Sequence, residues 1–136
     1  MSVNSLSILI PSYERLNLTL KSIELALQSP ANEIIVSDDS SNGDLIPLFS
    51  ISNDPRLRII VQERRLGLWE NHLFLLQIAK SEWVYFLQTD DSFCLQFFDI
   101  LGGHIANEVG IIHSDPQYLN IDSGLQIGRA SCRERV

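Results

Sequence analysis

The 136-residue sequence predicts an α/β fold, a mostly parallel sheet flanked by helices. Three observations carry this. Short apolar runs alternate with stretches of helical period. Turn-forming residues separate them. Strands that alternate with helices in this way imply parallel pairing through right-handed crossovers.

The elements follow in order. Leu6 to Ile10 is an apolar run closed by Pro11 and reads as a buried strand. Leu16, Leu20, Ile23 and Leu27 share one face of a helix. Ser29-Pro30 stops it, because proline disfavours helical geometry in the residue before it. Glu33 to Ser37 is a second strand, running into Asp38-Asp39-Ser40-Ser41-Asn42-Gly43, and Leu45 to Ile51 suits a short helix. Leu57 to Val61 is a third strand. Gly67 opens a helix in which Trp69, Leu73, Leu76 and the Lys80 stem share a face, expected to be core. Glu82 to Leu87 is a fourth strand, ending at Thr89-Asp90-Asp91. Residues 95–107 read as helix, Gly110 to His113 as a fifth strand and Tyr118 to Ile121 as a sixth.

The bulk composition bounds the function. Hydrophobic residues make up 45% and charged residues 20%, an ordinary globular balance. Net charge is −7; the segment Gly128–Val136 carries three Arg and one Glu, so the rest sums to −7 − 2 = −9. So acidic a chain argues against electrostatic nucleic-acid binding and suits recruitment of a divalent cation to an anionic substrate. Cys94 and Cys132 have no CxxC spacing and read as free thiols in a reducing compartment. The opening MSVNSLSILIPSYER has no basic start, and its apolar run is too short for a signal peptide or a membrane span. The expectation is a cytoplasmic chain, free or peripheral at a membrane. Residues 1–124 form the expected domain. Residues 125–136 end in IGRASCRERV, which resembles a translated cloning or adapter scar and reads as a non-native or disordered tail.

In a parallel sheet, ligands sit beyond the carboxyl ends of the strands. Three polar clusters follow predicted strands and should gather on one rim: Pro11-Ser12-Tyr13-Glu14-Arg15, Asp38-Asp39-Ser40 and Thr89-Asp90-Asp91. The Asp38-Asp39 carboxylates could accept a hydrogen bond from a base N–H or a ribose hydroxyl. Equally, they could cap a helix or close an Asx-turn. Adjacent Asp90 and Asp91 repel unless something positive neutralises them, and Mg²⁺ or Mn²⁺ would bridge them to a diphosphate. The plainer alternative is a capped turn. Tyr13 could stack on a base and Arg15 reach a phosphate, or Arg15 could pair with Glu14 or Glu70. His72, His104 and His113 lack ligand spacing and read as structural, and Arg64-Arg65 as a solvated pair.

The ordered set SILIPSYER, EIIVSDDSSNGD, GLWENHLFLLQIAKSEW and VYFLQTDDS resembles the opening of family 2 glycosyltransferases over about residues 5–95. The resemblance implies a GT-A, Rossmann-like fold, here incomplete, and the nucleotide-sugar-binding part of a transferase. The implied donor is a nucleotide-diphosphate sugar, UDP-linked by first expectation; the acceptor is a saccharide, lipid or protein. Carried over, Pro11, Tyr13, Glu14, Arg15, Asp38, Asp39 and Asp90 bind nucleotide. Pro11 and Tyr13 line the base pocket, and Asp39 contacts the base. Asp90 with Asp91 holds Mg²⁺ or Mn²⁺. Three departures stand out: Glu14 replaces the usual Asn, Glu70 stands where many members have Arg, and Gln88 replaces the first Asp of D-x-D.

The implied chemistry is inverting transfer, in which a base deprotonates the acceptor hydroxyl. The family's base comes from an acceptor half expected to be missing here, with Asp115 as a remote candidate. The main rival is a catalytically inactive nucleotide-binding fragment of the same fold. A receiver-type signalling domain is disfavoured because Lys21 and Lys80 both lie on predicted helices. A dinucleotide-binding fold is disfavoured because no GxGxxG follows the first strand.

Overall fold

The structure, a computed structural model, describes residues 5–40 and 52–99. Strands β1 (Leu6–Ser12), β2 (Glu33–Asp38), β3 (Leu57–Val61) and β4 (Trp83–Phe86) alternate with helices α1 (Leu16–Leu27) and α2 (Leu68–Ile78). The sheet order is β3-β2-β1-β4, and every pairing is parallel. The expectations for residues 41–51 and for everything beyond 99, including the fifth and sixth strands, the tail, Asp115, His104, His113 and Cys132, lie outside the described residues.

Both faces of the central strands are covered. Ile8, Ile10, Ile34 and Val36 cluster with Ile23 and Ala26 of α1. The intervening Leu9 and Ile35 cluster with Leu75 of α2. Side chains alternate across a strand, so α1 and α2 cover opposite faces. This explains why all seven residues of β1 are buried and why its sequence reads as an apolar run.

Proline does not end β1 as expected: the strand continues through Pro11 to Ser12. Leu9 O accepts the Leu87 N–H on the β4 side, and β4 pairs only with Leu6 to Leu9. Pro11, two residues on, presents its missing N–H to that same side, where no ladder partner remains, so it is tolerated. The next residue bonds the other way, with Ser12 O accepting the Asp39 N–H at 2.8 Å.

Helix α1 matches the predicted span, but its most buried face carries small residues. Thr19, Ser22, Ile23 and Ala26 are buried, while Leu16, Leu20 and Leu27 pack half-buried at its edge. Helix α2 overturns the expected core face. Trp69 is 79% exposed, Leu73 56% and Leu76 42%, and Lys80 is exposed too. The opposite side is seated by Leu75 and Asn71. Ser37 Oγ donates to Asn71 Oδ1 at 2.5 Å, and Asn71 Nδ2 donates to Ser37 O at 3.2 Å. A leucine-rich helix offers two apolar stripes, and this buried polar pair selects which one meets the sheet. Residues 96–99 are helical, at the start of the predicted 95–107 segment, and Phe98 is buried. Cys94 is a free, exposed thiol. No helix of the described residues is long and apolar enough to cross a membrane.

Candidate active site

The carboxyl ends of β1, β2 and β4 meet the start of α2 around a cleft of about 290 Å³. Pro11, Ser12, Tyr13 and Arg15 line it from β1 and its loop, and Asp39 from the end of β2. Arg65, Gly67, Leu68 and Asn71 come from the entry to α2, and Gln88, Thr89 and Asp90 follow β4. The predicted gathering of the three polar clusters on one rim is what the topology produces. Of the candidate residues, Pro11, Tyr13, Arg15, Asp39 and Asp90 line the cleft; Glu14, Asp38 and Asp91 do not.

The β1 loop is held tightly. Ser12 Oγ and Thr19 Oγ1 lie 2.6 Å apart, and Thr19 Oγ1 donates to Arg15 O at 2.9 Å. Glu14 sits at φ 51°, the left-handed region, and its N–H donates to Ser40 Oγ at 2.7 Å. A non-glycine residue there is strained, and Asn tolerates the conformation better than Glu. Glu14 thus shapes the loop through its backbone.

The two carboxylates ending β2 have separate partners. Asp38 is fully buried, and its Oδ1 accepts the Ser40 N–H at 3.0 Å and the Ser40 hydroxyl at 2.5 Å, an Asx-turn. Asp39 reaches across to the entry of α2: Oδ1 accepts the Leu66 N–H at 2.5 Å and Oδ2 the Gly67 N–H at 2.8 Å. Gly67, at φ 88°, precedes the helix with no side-chain cap of its own. Asp39 therefore does the work of an anchor at the positive end of α2. Each of its oxygens keeps a second lone pair.

The third cluster is open. Asp90 and Arg15 are paired loosely at 3.4 Å, with both side chains more than half exposed. The Asp91 carboxyl, though largely exposed, is raised from its ordinary value, first by the partial loss of solvent around it and then by the neighbouring Asp90 charge. The Tyr85 phenol, packed edge-on with Phe93 and Phe98 and tilted against Phe97, is raised by burial and then by the Asp91 charge. Among the described residues, no three His, Cys, Asp or Glu side chains converge as a protein cage for a metal. A divalent cation bridging phosphates needs only one or two carboxylates. Asp90 on the cleft wall, backed by an under-neutralised neighbour, fits that smaller demand.

Two contacts were not foreseen. Arg65, expected to be solvated, stacks its guanidinium 4.3 Å from the Tyr13 ring centroid. Its signal in the sequence was only proximity to Gly67. Gln88 Nε2 lies 2.8 Å from His72 Nε2, and His72 Nδ1 lies 2.7 Å from Leu68 O. A carbonyl only accepts, so His72 carries its proton on Nδ1 and accepts from Gln88. His72 thereby holds Gln88, the residue that replaces the first Asp of the D-x-D pattern.

Comparison with curated protein sequences gives no match. Among solved structures, the chain resembles a mannosyltransferase from Pyrobaculum calidifontis in complex with GDP-Man and Mn²⁺. The TM-score is 0.54 and the identity 18%, over 62% of this chain and 27% of that one. At that identity the likeness establishes the shared fold. The chain therefore spans about a quarter of the length of the structure it resembles. The profile of glycosyl transferase family 2 matches residues 7–108, three-quarters of the sequence. With the parallel sheet and the strand-end cleft in place, this chain belongs to glycosyl transferase family 2.

Proposed function

We propose that the cleft binds a nucleotide-diphosphate sugar, UDP-linked by first choice, for transfer of the sugar to an acceptor hydroxyl. The observation that carries this reading is the convergence of Tyr13, Arg15 and Asp90 from separate strand ends on one cleft with Asp39 at its edge. Tyr13 offers a ring for the base. Arg15, only loosely held, is available to phosphate. Pro11 lines the base end, and Asp39 offers its spare lone pairs to the base. Asp38 and Glu14 support the loops behind them. Asp90, with Asp91 beside it, would hold Mg²⁺ or Mn²⁺. That ion would stabilise charge on the departing diphosphate. The solved relative's GDP-Man keeps a guanine nucleotide in the panel of donors to test.

Within the described residues, this chain reads as the donor side. The carboxylates lining the cleft are Asp39, with both oxygens bonded to backbone amides, and Asp90, paired with Arg15. Neither is poised as a general base. Titration calorimetry of UDP and GDP, with Mn²⁺ and with EDTA, tests the reading. Tighter binding with metal is expected, and equal affinity in both conditions removes the metal from it. Donor hydrolysis should be slow and independent of acceptor. Acceptor-dependent release that vanishes in Asp115→Asn would instead make Asp115 the base. We propose a cytoplasmic or membrane-peripheral setting, on the cysteine pattern and the exposed Cys94 thiol.

A further inference from the structure

We propose that Arg65 is a donor-contacting residue: the cleft's second guanidinium, held over Tyr13 and aimed at the anionic part of the nucleotide. This rests on the donor-cleft reading above.

The argument begins with charge. The cleft is lined by two cations, Arg15 and Arg65, and two carboxylates, Asp39 and Asp90. Asp90 is matched by Arg15. Asp39 is matched by two backbone N–H groups. Among the described residues Arg65 joins no ion pair, so the charge it brings to the cleft is not cancelled by a neighbouring carboxylate. In a chain of net charge −7, a nucleoside diphosphate needs such a local cation to approach.

Geometry supplies the second part. Arg65 lies on the short connection between β3 and α2, and both ends of that connection are tied to the end of β2. Gln62 N–H donates to Asp38 O at 2.9 Å, and Gln62 Nε2 to Ser37 Oγ at 2.9 Å. Leu66 and Gly67 are held by Asp39. A side chain on a connection anchored this way is delivered to a defined place. The Tyr13 ring then holds the guanidinium 4.3 Å from its centroid, at the wall of the cleft that both residues line. A cation–π contact leaves the guanidinium's N–H donors unspent, so an arriving diphosphate can take them in charge-assisted bonds. Arg15 approaches from the β1 loop and Arg65 from the α2 side, so the two hold the anion from separate walls.

Arg64 provides the internal control. It is exposed on the same connection, one residue away, and does not line the cleft. The test is calorimetry of the full chain with Mn²⁺, using UDP, GDP, uridine and guanosine against Arg65→Ala, Arg65→Lys and Arg64→Ala. Arg65→Ala should weaken the diphosphates about tenfold, equivalent to ~1.4 kcal/mol, and flatten the salt dependence of binding. It should leave the nucleosides within about twofold, since the bond lost is to phosphate. Arg65→Lys should fall between, because lysine keeps the charge without the planar fork. Arg64→Ala should match the parent. Parental diphosphate affinity in Arg65→Ala, or equal losses in the Arg64 and Arg65 variants, would overturn the assignment while leaving the donor cleft standing. A parent chain that binds no nucleotide would bring down the donor reading and the Arg65 assignment with it.

Discussion

The two carboxylate pairs, Asp38-Asp39 and Asp90-Asp91, look alike in sequence and behave oppositely in the fold. Asp38 and Asp39 are buried and bonded into neighbouring backbone. Asp90 and Asp91 are exposed, with one loose ion pair and mutual repulsion. The difference lies in what each strand end faces. β2 is flanked by β1 and β3, and its end meets the entry of α2, where orphan N–H groups need acceptors. β4 leaves the sheet early, with only a turn beyond it in which Asp91 N–H donates to Gln88 O. The buried pair organises the cleft, and the exposed pair stays without such backbone partners among the described residues.

The largest expected effect separates the pairs directly. Asp39→Ala removes two charge-assisted bonds and leaves the half-buried Leu66 and Gly67 amides without them, which should destabilise the domain by about 2–3 kcal/mol. It should also weaken nucleotide binding, because the connection bearing Arg65 and Gly67 is released. Asp90→Ala should melt like the parent yet lose the metal-dependent part of nucleotide binding. Thermal unfolding beside calorimetry checks both. If Asp39→Ala melts like the parent, the contrast between the pairs collapses.

Glu14 sharpens the comparison from the loop facing Asp38 and Ser40. A non-glycine residue in the left-handed region costs roughly 1–2 kcal/mol, and asparagine bears part of that more easily. Glu14→Asn should raise stability by about 0.5–1 kcal/mol, read as an upward shift in Tm. A lower Tm would mean the Glu14 side chain contributes more than its backbone geometry suggests.

Asp91 gives a smaller, pH-dependent effect. Its folded-state pKa is raised by burial and by Asp90. Ionised Asp91 therefore weakens the fold above its folded pKa, and that penalty fades as pH falls and the group is protonated in both states. Asp91→Asn should melt slightly above the parent at neutral pH, with the gap closing toward acid. A gap that is constant with pH would assign the effect to shape rather than charge. The smallest effect is expected from deleting residues 128–136, which should leave Tm unchanged. A drop of several degrees would mean the tail packs, since ~1 kcal/mol shifts a domain of this size by roughly 3–6 °C.

The sequence was legible where a single physical rule dominates. Apolar runs long enough for a doubly covered strand appear at β1 and β2, and the observed spans differ at their ends by one or two residues. The rule that ligands gather beyond parallel strand ends brought Pro11, Tyr13, Arg15, Asp39 and Asp90 to one cleft from three separated motifs. Tertiary structure decided whatever depended on choosing between equal local options. Helix α2 had two apolar stripes, and Ser37 and Asn71, remote in sequence, chose the one carrying Leu75. Four aspartates had the same local character, and only their neighbours made two of them anchors. Pro11 could remain in β1 because β4 had already turned away. Arg65 was one exposed cation beside another until the fold laid it over Tyr13. Periodicity and turn chemistry act within a few residues, so they determine elements and their order. Burial, hydrogen-bond satisfaction and charge matching act between elements, so they assign individual side chains only once the chain has folded.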